Sequence, residues 1–188
     1  MDPKKHVAIG ADHAAYQMKE ELKLFLKELG YEYLDFGTHS ADVVDYPDIV
    51  FPVAKAVATG EAPRGIVLCG TGIGSSIVAN KVPGIRASLC HDTFSAKYAR
   101  AHNDANILAM GARVIGMGLA REIVREWLAG EFEGDRHSRR VGKIRRLEER
   151  LFTQEAWRGS VPPPAAEKEG SLRKAGRLIG CRRMPTSS

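Results

Sequence analysis

The segment VLCGTGIGSS, residues 67–76, sets Cys69 directly before three closely spaced glycines. Glycines let backbone N–H groups approach an anion closely, and the helix that follows adds partial positive charge at its N-terminus. Such a loop can hold an enediolate oxygen as well as a phosphate, and its field favours a thiolate. A thiolate beside an oxyanion site can take a proton from a carbon next to a carbonyl. The alternative is that Cys69 is a small buried hydrophobic residue.

The same loop has a second interpretation, as a dinucleotide site. Gly70, Gly72 and Gly74 follow an apolar strand pattern, and Asp92, eighteen residues after Gly74, imitates a ribose-binding carboxylate. However, the spacing is G-x-G-x-G and not G-x-G-x-x-G, and no G-K-[ST] follows as a P-loop requires. The pattern favours proton-transfer chemistry over cofactor binding. A non-catalytic module that binds a nucleotide or a sugar phosphate stays open as a rival.

Polar side chains at predicted element ends are further candidates. Asp12 and His13 follow the first strand, where Asp12 is either a helix N-cap or a site residue. His102 and Asn103 end a predicted helix, either as C-terminal caps or as site residues.

Three arginines are candidates for binding an anion. Arg113 follows the fifth strand, while Arg136 and Arg140 flank His137 at the start of the last helix. Because Arg136 and Arg140 are four residues apart, they share a helical face and suit bidentate contacts with a phosphate. A solvated basic face is the alternative.

The elements that must position these groups alternate along the chain. Apolar strand patterns at 6–10, 31–37, 65–70, 85–90 and 106–111 alternate with helical patterns at 14–30, 48–59, 74–82, 92–103 and 118–130, and a basic helical segment follows at 136–150. This alternation predicts a three-layer α/β/α Rossmann-like fold with a five-stranded parallel sheet and a C-terminal helix. Ligands of such folds bind beyond the carboxyl ends of the strands, where GADH, CGTGIGSS and CHD fall.

Length and charge suggest one domain, 1–150, and a flexible C-terminal extension, 151–188. The extension carries seven basic and three acidic residues of the 188-residue chain, so the first 150 residues are nearly neutral and predict no nucleic-acid partner. No signal peptide and no membrane-spanning run is evident. Three cysteines without a C-x-x-C pair favour free thiols and a cytoplasmic location. A chain ending at Arg150 is expected to retain assembly and activity.

Five segments carry a resemblance to a known family: GADHAA, DYPD, GIVLCGTGIGSSIVANKVPGIRA, ARAHNDANILAMGARVIG and GDRHSRRV. They span residues 6 to about 150 in order, and together they resemble type B ribose-5-phosphate isomerases, a family shared with galactose-6-phosphate isomerase subunits. The resemblance implies an aldose–ketose isomerase that needs no cofactor and no metal. It also implies a homodimer, or a dimer of dimers, in which each active site is built from both subunits. A six-carbon sugar phosphate remains an alternative substrate.

The resemblance also implies a role for each candidate residue. Cys69 is the base that moves a proton between C1 and C2, Thr71 assists at the sugar, and His102 of the partner chain opens the furanose ring. The remaining candidates bind substrate: Asp12, His13 and Tyr46 at the sugar; Gly70, Gly72, Gly74 and Ser75 at the oxyanion; Asn103 beside His102; and His13, Arg113, Arg136, His137 and Arg140 around the phosphate. Some family members replace the cysteine with a carboxylate a few residues later in the loop. Here Ser75 and Ser76 stand in that part of the loop, so the cysteine variant applies.

Overall fold

A computed structural model describes residues 5–153 of the chain. Within them lie five strands: β1 (His6–Ala11), β2 (Glu32–Asp35), β3 (Arg64–Cys69), β4 (Ala87–Leu89) and β5 (Ile107–Gly111). Six α-helices accompany the strands: α1 (Tyr16–Glu28), α2 (Tyr46–Ala58), α3 (Ile73–Ala79), α4 (Thr93–Asn103), α5 (Met117–Ala129) and α6 (Asp135–Thr153). The strands form one parallel sheet in the order β2-β1-β3-β5-β4. The predicted alternation and parallel sheet are therefore confirmed.

Helices cover both faces of the sheet because successive strand residues point to opposite sides. In β1, Val7 and Ile9 belong to the core cluster that α1, α4 and α5 cover, whereas Ala8 belongs to the cluster under α2 and α3. Both strand faces are apolar, which is typical of a parallel sheet buried on both sides. The predicted three-layer arrangement is confirmed.

Two predicted boundaries differ from the observed ones. Helix α2 begins at Tyr46 and not at Asp48, because Pro47 occupies a first-turn position, where a missing N–H breaks no hydrogen bond. Strand β4 is only three residues long, at the edge of the sheet. The predicted C-terminal helix is confirmed and continues to Thr153. Apart from its first three residues, the predicted flexible extension lies outside the described residues. No described helix has the length and apolar character needed to cross a bilayer.

Candidate functional site

The strand order creates a crevice between β1 and β3. The chain leaves β1 towards β2 on one side, and β3 lies on the other side of β1, so connections diverge at this point. Loops that diverge at the carboxyl ends of neighbouring parallel strands leave space for a ligand. Ala11 of β1 pairs with Leu68 of β3, so Asp12 and Cys69 follow these paired residues at the same edge. The chemistry-bearing residues of these two turns therefore meet.

Cys69 ends β3 with its sulfur turned into the glycine loop. The Gly72 amide donates a hydrogen bond to Cys69 Sγ at 3.1 Å, and Cys69 is 5% exposed. Gly72 has a φ of +75°, and a Cβ there would lie 2.5 Å from Leu89 Cδ1. Only glycine satisfies both the left-handed backbone and the close packing. The amide that faces the sulfur thus depends on a residue without a side chain.

The first turn of α3 supplies further backbone donors. The Gly72 amide donates to Cys69 Sγ, and the Ile73 amide donates to Thr71 Oγ1. The amides of Gly74 and Ser75 have no acceptor one turn earlier in the helix. Ser75 is fully buried, and its Oγ has no hydrogen-bond partner within the described residues. An unpaired buried hydroxyl is costly, and a ligand group that enters the loop could satisfy it.

The end of β5 closes this loop from the side. Gly111 pairs with Cys69 across the sheet, and a Cβ on Gly111 would lie 2.5 Å from the Thr71 backbone. The Arg113 amide donates to the Gly70 carbonyl at 2.9 Å, and the Arg113 side chain runs beside Gly70. Arg113 therefore lies at the same end of the strands as Cys69.

Asp12, His13 and Tyr46 complete this edge. Asp12 Oδ1 accepts the amides of Ala14 and Ala15, so the residue is the N-cap of a short 3₁₀ turn. His13 Nδ1 lies 3.2 Å from the Val44 carbonyl oxygen, which ties the β1 loop to the segment before α2. The Tyr46 ring packs over Gly74, where a Cβ would lie 2.7 Å from its Cζ. We give the name thiol half-site to the residues gathered at the carboxyl ends of the strands: Asp12, His13, Tyr46, Cys69, the loop 70–75 and Arg113.

A second cluster forms where the end of α4 meets the start of α6. The rings of His102 and His137 stack with centroids 4.1 Å apart and planes 8° apart. Glu133 Oε2 lies 3.6 Å from His102 Nε2 and 3.7 Å from His137 Nε2. A cavity of about 160 Å³ opens here, lined by His102, Asn103, His137, Arg140, Val141 and Ile144. We call this cluster, together with Arg136, the imidazole half-site.

The surroundings of His137 favour its neutral imidazole form. Burial lowers the pKa of His137, and the positive charges of Arg136 and Arg140 and the nearby His102 lower it further. Arg136 Nε donates to His137 Nε2 at 3.2 Å, which occupies the lone pair of that nitrogen. His137 is therefore poorly suited to carry a proton in this cluster.

The His102, Glu133 and His137 donors lie within 4.8 Å of one another, the composition of a transition-metal site. The arrangement does not suit a metal. An ion bound by imidazole lies in the ring plane, and two rings stacked 8° from parallel cannot share one ion in both planes. Arg136 also occupies the His137 nitrogen. These three residues therefore lack the geometry of a metal site.

The two half-sites lie at opposite ends of the strands. The thiol half-site is at the carboxyl ends, and the imidazole half-site is near the amino ends. Helix α4 starts after the carboxyl end of β4 and runs back to Asn103, beside the amino end of β5. Its 11 residues span about 16 Å at 1.5 Å per residue. His102 is therefore separated from the thiol half-site of its own chain by about the length of a helix.

The other cysteine within the described residues differs sharply from Cys69. Burial raises the pKa of Cys90 to about 12, and the charge of Asp92 adds to the effect, so Cys90 stays a protonated thiol. Asp92 is the N-cap of α4, which removes the carboxylate that a dinucleotide site would use. Cys181 lies outside the described residues.

Sequence reasoning missed Glu133 and Val44. Val44 takes part only through its backbone, which leaves no signal in residue type. Glu133 stands four residues before His137, just ahead of the helix, and this i, i+4 spacing was its available signal.

Comparison with known proteins identifies relatives along most of the chain. The ribose/galactose isomerase family model matches residues 7–144. The chain is similar to the solved structure of Clostridium thermocellum ribose-5-phosphate isomerase B, at 55% identity and a TM-score of 0.77, covering 78% of this chain and 99% of that one. Escherichia coli (strain K12) ribose-5-phosphate isomerase B is 48% identical over 78% of this chain and 98% of its own. Pectobacterium atrosepticum D-erythrulose-4-phosphate isomerase is 48% identical over 73% of this chain and 91% of its own.

Proposed function

Because the chain belongs to the ribose/galactose isomerase family, we propose that it interconverts D-ribose 5-phosphate and D-ribulose 5-phosphate through an enediolate, without a cofactor. The observation that carries the proposal is the Cys69 sulfur, held against a backbone amide at the crevice between β1 and β3. Isomerisation of this kind needs a base, an oxyanion site, a ring-opening acid/base and an anchor for phosphate. The two half-sites together contain a group suited to each task.

The enolisation step is assigned to the thiol half-site. Cys69, as thiolate, takes the C2 proton of the open-chain aldose, and the electron pair moves through C1 onto O1. The amides of Gly74 and Ser75 are suited to stabilise this oxyanion, because they have no acceptor in the helix. Thr71 assists the transfer of a proton from O2 to O1. Returning the proton from Cys69 to C1 gives the ketose and restores the thiolate.

The phosphate and sugar contacts are divided between the half-sites. His13 and Arg113 stand at the thiol half-site, and Arg136 and Arg140 at the imidazole half-site. Arginine suits a phosphate dianion because its planar guanidinium donates two parallel hydrogen bonds. In this proposal Asp12, Tyr46 and Asn103 contact sugar hydroxyls, and His137 borders the phosphate.

Ring opening is assigned to His102 of a second copy of the chain. One chain cannot bring His102 to its own Cys69, because α4 separates them. A twofold-symmetric dimer places the thiol half-site of each chain against the imidazole half-site of the other and completes two equivalent sites. Apolar side chains exposed near both half-sites support this assembly: Phe51, Ile73 and Ile77 on α2 and α3, and Ile144 and Leu147 on α6.

Mixing two inactive variants tests the shared site. In a heterodimer of Cys69→Ala and His102→Ala chains, one site carries both changes and the other carries neither. Random exchange of subunits makes half of the dimers heterodimers, so the mixture should regain about a quarter of the wild-type activity. If each site lay within one chain, no site in the mixture would be intact and activity would stay at the level of the separate variants.

The activity itself is tested by incubating the protein with ribose 5-phosphate and measuring ketose formation. Saturable binding of ribose 5-phosphate without turnover would favour a non-catalytic module instead.

The number of carbon atoms in the sugar is the second question, because one relative that is 48% identical acts by its name on a four-carbon sugar phosphate. Values of kcat/KM for four-, five- and six-carbon aldose phosphates should be highest for the five-carbon substrate. A higher value for galactose or allose 6-phosphate would replace the proposed substrate.

A further inference from the structure

Glu133 occupies a special position in the imidazole half-site. Its carboxylate lies within ion-pair distance of two histidines, at 3.6 Å from His102 Nε2 and 3.7 Å from His137 Nε2. The stacked rings leave both nitrogens on the side that Glu133 faces. Tyr98, one turn earlier on α4, contacts the His102 ring at a tilt of 43°, with ring centroids 4.5 Å apart. The His102 ring therefore contacts an aromatic ring and an imidazole, and one carboxylate lies near its Nε2.

The backbone fixes Glu133 at this position. The Glu133 amide donates to the Ala101 carbonyl at 3.0 Å, which ties the segment before α6 to the residue next to His102. Gly134 follows with a φ of +74°, and its carbonyl accepts the His137 amide at 2.9 Å. The side chain of Glu133 stays half-exposed, so its backbone and not its packing sets its location.

The charges around the cluster leave Glu133 to act on His102. Arg136 and Arg140 on α6 both disfavour a proton on His137, and Arg136 already donates to it. Among the residues that face His102 within the described structure, Glu133 carries the negative charge; Tyr98 and Asn103 are neutral, and Arg140 lines the cavity with a positive charge. A carboxylate at this distance stabilises a positive charge that forms on the ring during a reaction.

We propose that Glu133 is a positioning residue for ring opening: it orients His102 and offsets the charge that His102 gains as an imidazolium. This inference rests on the proposed isomerase function. In the step, His102 takes the proton of the C1 hydroxyl, the bond between C1 and the ring oxygen breaks, and C1 becomes an aldehyde. His102 then gives the proton to the ring oxygen, which becomes the C4 hydroxyl. Glu133 gains and loses no proton.

Two reactions separate ring opening from enolisation. Ribose 5-phosphate closes to a furanose, so its isomerisation requires ring opening. Ribulose 5-phosphate cannot form a furanose, because its C5 oxygen is esterified. Exchange of its C1 hydrogen with deuterium from solvent therefore reports enolisation alone, and NMR follows it directly. A residue that acts only through His102 should affect the first reaction and spare the second.

The variants are Glu133→Gln, which removes the charge and keeps the size, and Glu131→Gln, an equal change at an exposed neighbour. We expect Glu133→Gln to lower kcat for ribose 5-phosphate about tenfold, equivalent to about 1.4 kcal/mol, with KM within twofold. Deuterium exchange should stay within twofold of wild type, and Glu131→Gln should leave both reactions unchanged. Glu133→Asp, which restores the carboxylate, should recover at least threefold in kcat.

Equal losses of isomerisation and exchange in Glu133→Gln would overturn the inference, because they would show a general disturbance of the site. Full isomerisation by Glu133→Gln would overturn it as well. Neither result would affect the proposed function, which the wild-type reactions test. A wild-type protein without either reaction would instead refute the proposed function, and the inference with it.

Discussion

The sharpest prediction concerns removal of the sulfur at the end of β3. Cys69→Ala removes the proposed base but leaves the amides of Gly74 and Ser75 and the phosphate-binding arginines in place. General acid–base transfer contributes about 10²–10⁴ in rate, so kcat should fall at least about 100-fold, or about 2.7 kcal/mol. KM should stay within about threefold, because Cys69 is not assigned to the phosphate or to sugar hydroxyls.

The same substitution has a structural cost that must be separated from the catalytic one. The variant leaves the Gly72 amide without its acceptor and removes a sulfur that is 5% exposed. Together these changes should cost about 1–2 kcal/mol of the free energy of unfolding. Cys90→Ala is the matched control, because Cys90 is also buried and its raised pKa of about 12 keeps it protonated. That variant should lose similar stability and keep kcat within twofold.

The assay combines ketose formation from ribose 5-phosphate with deuterium exchange at C1 of ribulose 5-phosphate, and thermal unfolding of both variants. Cys69→Ala should lose both reactions in proportion, because both pass through the same enolisation. A Cys69→Ala variant that keeps more than a tenth of the wild-type kcat would remove the thiol from the mechanism. Equal losses of activity in Cys69→Ala and Cys90→Ala would show that folding, and not catalysis, explains the effect.

Two other predictions follow from close packing and from buried charge. Gly74→Ala places a Cβ 2.7 Å from the Tyr46 ring and should lower kcat/KM at least tenfold. Gly118→Ala is the control, because its added Cβ meets no non-neighbouring atom within 4 Å, and it should leave activity unchanged. A near-wild-type kcat/KM in Gly74→Ala would refute the role of the contact with Tyr46. Asp35→Asn should cost about 2–3 kcal/mol of the free energy of unfolding, because fully buried Lys19 then keeps only its ion pair with Glu20. Burial tends to raise the pKa of Asp35, but its lysine partners outweigh burial and hold the pKa below the usual value of an aspartate. The wild-type advantage in denaturant unfolding should therefore be full above about pH 4 and shrink at lower pH. An advantage that does not change between pH 6 and pH 3 would contradict this assignment.

The sequence predicted the sheet well because both faces of the strands are buried. Continuous apolar runs such as HVAIG and GIVLC mark the central strands, and glycine marks the turns that follow. The predicted bounds of the edge strand β4 and of the start of α2 were less accurate, because edge pairing and a first-turn proline depend on neighbours that a local pattern does not include.

The candidate residues were predicted by type, but their separation into two groups needed the topology. Cys69 and His102 stand 33 positions apart in one continuous series of strand and helix patterns. Nothing in their residue types assigns them to opposite ends of the strands. The direction of α4 decides this, because a helix that follows a parallel strand returns to the amino edge. The resemblance alone implied a partner chain, and the direction of α4 is the structural observation on which the proposed shared site rests.

The division of the site also follows from the backbone groups found at the two ends of the strands in a parallel sheet. The carboxyl edge presents loops that lead into helix N-termini, whose free amides suit an oxyanion and a thiolate. The amino edge receives helix C-termini, whose free carbonyls favour cations and imidazolium, as at the end of α4. In the proposed reaction, enolisation uses the first environment, and ring opening, during which His102 becomes an imidazolium, uses the second. The two environments of one chain lie at opposite ends of the strands. The proposed symmetric dimer would bring both environments to the same sugar.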